Sequence, residues 1–97
     1  MPHVANPGIY KLVADTREFR VYLATWKPGQ RDALHSHDSK VTYAVTACDF
    51  RTYGRDNSEL ERGPYKPGDV AVSPGVVAHY FENVGKSDCQ LLLVERK

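Results

Sequence analysis

Histidines occur at His35 and His37, one residue apart, and again at His79 far along the chain. On an extended strand the rise is ~3.3 Å per residue and side chains alternate faces. Imidazoles at i and i+2 therefore leave one face, and their nitrogens can converge on a metal with bonds of ~2.0–2.1 Å. A third histidine from a neighbouring strand completes a three-cornered cap and leaves coordination positions open for chemistry. Three neutral imidazoles leave a divalent ion its full charge. Such an ion is a strong Lewis acid and favours a small anionic ligand. Nitrogen donors suit several transition metals, and Fe(II) and Zn(II) are the leading expectations. Without a metal the same trio would be no more than satisfied or exposed side chains. His3, near the amino terminus, is not expected to join it.

Short strands must position these residues. Proline and glycine punctuate the chain as in all-β domains. Extended segments are expected at residues 9–14, 18–26, 41–47, 49–53, 70–73, 76–84 and 89–95. Turns fall at Pro28-Gly29, Gly54-Arg55-Asp56-Asn57-Ser58, Gly63-Pro64 and Pro67-Gly68-Asp69. No window sustains the 3.6-residue period of a substantial helix. The second segment sets Phe19, Val21 and Leu23 against Tyr22, Ala24 and Trp26, so it is apolar on both faces. Leu91-Leu92-Leu93-Val94 is apolar without alternation. Strands of this kind are covered on both sides, and in so short a chain the economical second cover is another copy. A homodimer is the expectation.

A chain of 97 residues makes one domain, residues 1–97. Its net charge of +1, without a basic run, argues against nucleic acid as a partner. No stretch approaches the ~20 apolar residues of a membrane-spanning helix, and the first residues lack the layout of a signal peptide. Cys48 and Cys89 are far apart and not in metal-like spacing. Two reduced thiols packed near strands are expected, with a disulfide the lesser alternative. These features together suggest the cytoplasm.

With those residues in place, the chain resembles the cupin superfamily, all-β jelly-roll barrels. The superfamily's first motif runs Gly, five residues, His-x-His, three or four residues, Glu; here Gly29 precedes His35-Ser36-His37 at that interval. Its second motif sets Gly, Pro, His and Asn at fixed offsets, met by Gly68, Pro74, His79 and Asn83. The likeness spans nearly the whole chain, from about Phe19 to Glu95. Where the superfamily has a glutamate ligand, this chain has Val41, or Thr42 under the longer spacing. The resemblance thus implies a three-histidine site, like that of thiol dioxygenases and a β-diketone-cleaving dioxygenase.

The resemblance implies a mononuclear metal-dependent enzyme, dioxygenase-like, acting on a small anionic molecule. The alternative is a binding or sensing module that holds such a ligand without turning it over. Alternation from Val41 would send Tyr43 and Val45 inward, making Tyr43 the candidate catalytic hydroxyl beside Phe81. The plainer alternative is a core tyrosine with a backbone partner. Arg51 would either hold a carboxylate or lie at the surface. Tyr22 and Trp26 are expected in packing, Asn83 in turn hydrogen bonding and Glu82 in solvent. No carboxylate is expected on the inward face.

Overall fold

The structure is a computed structural model that describes residues 2–97, the side chains of Val76 and Val77 excepted. A four-residue helix, α1 (Pro2–Ala5), precedes nine strands. These are β1 (Tyr10–Asp15), β2 (Phe19–Trp26), β3 (His35–His37), β4 (Lys40–Ala44), β5 (Phe50–Gly54), β6 (Glu59–Arg62), β7 (Val70–Ser73), β8 (Val76–Asn83) and β9 (Cys89–Arg96). One sheet has the order β1-β2-β9-β4-β7 and the other β3-β8-β5-β6, and every pairing is antiparallel. The two facing sheets form an all-β jelly roll.

Alternation decides what lies between them. Tyr22, Ala24 and Trp26 of β2 and Cys89, Leu91 and Leu93 of β9 are buried. They meet Phe50 and Phe81 of the opposite sheet, with the rings of Trp26 and Phe81 4.2 Å apart and those of Phe50 and Phe81 4.9 Å apart. Leu91, Leu93, Phe50 and Phe81 each contribute ~1.5–3 kcal/mol by leaving water. The inward row of β9 then ends on a charged residue, Glu95, which is 2% exposed. That acid and the histidines of β3 and β8 share one end of the core.

One expectation is corrected here, and one strand is added to those the sequence marks. Cys48 and Cys89 are joined in a disulfide, with Cα atoms 4.8 Å apart. The inward start of β9 meets the segment before β5, so residues remote in sequence adjoin in space. Disulfides persist in oxidising compartments, and the argument from free thiols to the cytoplasm no longer stands. The segment Glu59–Arg62 is also a strand, although its Glu-Leu-Glu-Arg sequence has no β-branched residue and all four positions are exposed. Pairing with β5 gives it its form. No helix among the described residues is long and apolar enough to cross a membrane.

Candidate metal centre

His35 and His79 are directly opposed across β3 and β8, while an irregularity between His35 and His37 sets the latter against Val76. Ring centroids lie 4.6 Å apart for His35–His37, 4.8 Å for His35–His79 and 5.0 Å for His37–His79. One candidate ligand atom from each falls within 4.8 Å of the others, and all three residues are buried. The three histidines picked out in the sequence are brought together.

Hydrogen bonds select the tautomers. Nδ1 of His35 lies 2.8 Å from the carbonyl oxygen of Ala33, which can only accept, so Nδ1 carries the proton. Nδ1 of His37 faces the carboxylate of Glu95 and donates to it. Both Nε2 atoms are left with lone pairs, and these lie 2.8 Å apart. Two metal bonds of ~2.0–2.1 Å meeting near a right angle span about that distance. Nε2 of His79 is buried without a hydrogen-bond partner, a condition that calls for a cause such as an ion. The donor set fits a divalent metal.

Burial fixes the charge states. It lowers His35 to about 4 and His79 to about 3, and His37 falls further, with the charge of Lys40 adding to each shift. All three are therefore neutral ligands at pH 7. Burial raises Asp32 to about 6, against hydrogen bonds from the Phe81 amide and the Tyr10 hydroxyl. Burial likewise raises Glu95 to about 6, against the opposing charge of Lys40.

Four residues missed in the sequence complete the centre: Tyr10, Asp32, Lys40 and Glu95. The Tyr10 hydroxyl donates to Asp32 Oδ2 at 3.0 Å and lies 3.2 Å from His35 Nε2. Asp32 Oδ1 accepts from the Phe81 amide at 2.7 Å. The expectation of no inward carboxylate was wrong. One signal was available for Glu95, since it continues the inward alternation Cys89, Leu91, Leu93 at a position where a charge requires a partner. Asp32 sits outside any regular strand, and no sequence pattern marks its direction.

Tyr43 must be reassigned. It is 45% exposed, whereas Thr42 and Ala44 are buried. Thr42 pairs with Leu93 and Ala44 with Leu91, so the inward parity of β4 is Lys40, Thr42, Ala44. Tyr43, Val41 and Val45 face the other way, and Tyr10 supplies the hydroxyl beside the histidines. The position of the superfamily's glutamate that faces inward is thus Thr42. Arg51 points away from the site, bound to Asp49 and to the carbonyl of Phe50. Phe81, Trp26 and Tyr22 are buried as expected. Asn83 binds the carbonyls of Trp26 and Ser87 and accepts from the Gly85 amide. Glu82 pairs with Arg31 at the surface. His3 stands apart, against Tyr22.

A cavity of about 130 Å³ opens beside the histidines. His37, His79, Tyr10 and Lys40 border it, with Thr42, Thr52, Ser73 and Tyr65 supplying hydroxyls and Trp26, Phe50, Phe81, Leu91 and Leu93 its apolar wall. Glu61 also borders it, from exposed β6.

Facing antiparallel sheets with a buried histidine trio at one end define a jelly-roll protein with a candidate metal site. The Cupin domain family profile matches residues 22–95, and the chain belongs to that family. Among solved structures it is similar to a cupin domain from Bordetella pertussis, with a TM-score of 0.81 and 18% identity over 92% of each chain. A protein from Klebsiella pneumoniae with a double-stranded β-helix domain aligns with a TM-score of 0.70 and 20% identity, over 91% of this chain and 75% of that one. Protein NMB1881 from Neisseria meningitidis aligns with a TM-score of 0.61 and 24% identity, over 91% and 82%. At these identities the likeness shows the fold. Among curated proteins none matches the chain.

Proposed function

We propose that this cupin is a mononuclear metal-dependent enzyme that acts on a small anionic molecule, with oxygenation as the reaction class. The observation that supports it is the convergence of one ring nitrogen each from His35, His37 and His79 within 4.8 Å, with His37 and His79 at the wall of a cavity. These three residues would hold the ion. When bound, it would supply Lewis acidity or, as iron(II), electron exchange with dioxygen.

The chain's own groups have separable tasks. Glu95 and the Ala33 carbonyl fix the ring orientation of His37 and His35 and raise their basicity, as outer partners of metal-bound imidazoles do. The Tyr10 hydroxyl donates its hydrogen bond to Asp32 and leaves its oxygen lone pairs to accept a hydrogen bond from a molecule in the cavity. The apolar wall excludes water. Elemental analysis of untagged protein, followed by oxygen uptake with thiols, diketones and phenols, tests the reading. Near one iron per chain with uptake is expected. Stoichiometric metal and tight ligand retention without turnover would make the protein a binding module. A chain that holds no metal and has the same stability with or without chelator would overturn both.

We further propose that the second partner is another copy of the chain. The outer face of the five-stranded sheet carries one row of Leu23, Leu92, Tyr43 and Val70 and a second of Val21, Val94, Val41 and Val72. Val72 is 79% exposed. Four strands at ~4.8 Å by about four residues at ~3.3 Å give roughly 250 Å² in projection, and Lys11 of β1, opposite Leu23, ends the first row. Residues flanking this patch would supply the rest of the ~800 Å² per partner of a standard interface. An apolar patch at the centre of a sheet can meet its own copy, as two-fold association requires.

A further inference from the structure

Among the described residues Lys40 is the one cation bordering the cavity. It lies on the inward parity of β4, and its cross-strand neighbours are Ser73 on β7 and Glu95 on β9. Glu95 is the natural counter-ion, yet its carboxylate is turned to Nδ1 of His37. Among the described residues Lys40 makes no ion pair. Lys40 is half-buried, and burial lowers its pKa against the charges of Glu95, Glu61 and Asp32. Its side chain borders the cavity, and Thr42 and Ser73 add hydroxyls on the same face.

We propose that Lys40, with Thr42 and Ser73, forms a subsite for a small monocarboxylate in the cavity beside the histidines. This deepens the preceding reading by specifying its anionic molecule, but it stands on Lys40 and does not require the metal. Two features set the class. The cavity, about 130 Å³, is well below the ~300–1,000 Å³ of pockets for drug-sized ligands, so only a few non-hydrogen atoms fit. Glu61, the other charged residue on the cavity wall, repels a second negative charge at the ligand's outer end. A monoanion is selected over a dianion.

The test is a titration of the metal-free, untagged protein with acetate and with its neutral counterpart acetamide, followed by amide chemical shifts. Saturable binding of acetate, on the order of millimolar for so small a ligand, is expected at residues around the cavity, with none for acetamide. Lys40→Met should weaken acetate at least tenfold, and Glu61→Gln, a surface change that leaves the core intact, should tighten it several-fold. Equal response to acetate and acetamide overturns the proposal, as does acetate affinity unchanged by Glu61→Gln or in folded Lys40→Met. Repeating the titration with zinc(II) separates this from the functional reading. Acetate binding in a protein that takes up no zinc leaves the subsite standing and removes the enzyme. Acetate binding that needs zinc and ignores Lys40→Met does the reverse.

Discussion

Glu95, at the end of the inward row of β9, accepts a hydrogen bond from Nδ1 of His37 across 58 residues of sequence. The contact orients the ring so that Nε2 meets that of His35. Glu95→Gln keeps the shape but loses the charge that makes His37 a better donor. Metal affinity should fall about 10–100-fold, as for other outer partners of metal-bound histidines, with the variant still folded. Competition with a chelator of known affinity measures this; unchanged affinity would leave Glu95 a packing residue.

The hydroxyl beside the centre belongs to Tyr10. Tyr10→Phe strips Asp32 Oδ2 of its donor in a buried setting and should cost about 1–3 kcal/mol. Tyr43→Phe, on the outward face, should stay within about 0.5 kcal/mol. Urea unfolding of the two variants checks the assignment, and a larger loss at Tyr43 would reverse it.

The histidines and carboxylates pull the pH dependence in opposite senses. The folded values of His35 and His79, about 4 and about 3, and the still lower one of His37 lie below the ordinary ~6.5. The unfolded chain therefore binds protons first as pH falls below ~6.5, and stability is lost toward pH 4. Asp32 and Glu95, raised to about 6, take up protons first in the folded state, and this opposes the loss. Three sites against two leave a net of about one proton. The metal-free protein should lose roughly 1.4 kcal/mol per pH unit between about pH 6 and 4.5. Stability that rises over this interval in urea unfolding would mean that the carboxylates dominate.

The fold was legible because hydrophobic alternation and turn residues carry it. The strand 70–73 has the expected bounds, and most of the others differ by one or two residues at an end. The histidines were legible through their spacing. Parity in β4 was not, because Lys40-Val41-Thr42-Tyr43 reads as readily with Val41 inward, and only pairing with Leu93 and Leu91 decides it. Tyr10 and Asp32 reach the centre from a sheet edge and an irregular segment, where local sequence has no period to read. The Cys48–Cys89 pairing depends on a tertiary approach between segments 41 residues apart.

That bridge closes a long loop, and loop closure restricts the unfolded chain. Replacing both cysteines with alanine should lower stability by about 2–4 kcal/mol. Urea unfolding without reductant measures it, and wild type treated with dithiothreitol should approach the variant. Coincidence of oxidised wild type and variant would show that the bridge does not form in solution.

The outer face of the five-stranded sheet gives the association prediction. Val41 and Val72 are paired across β4 and β7 and both exposed, so charge placed there meets solvent in a monomer and an apolar partner in a dimer. Wild type should elute as a dimer by size-exclusion chromatography with light scattering. Val41→Lys with Val72→Lys would bury like charges against their symmetry copies and should yield a folded monomer. A wild-type monomer at tens of micromolar would leave the face uncovered, and a dimer indifferent to the two lysines would place the interface elsewhere.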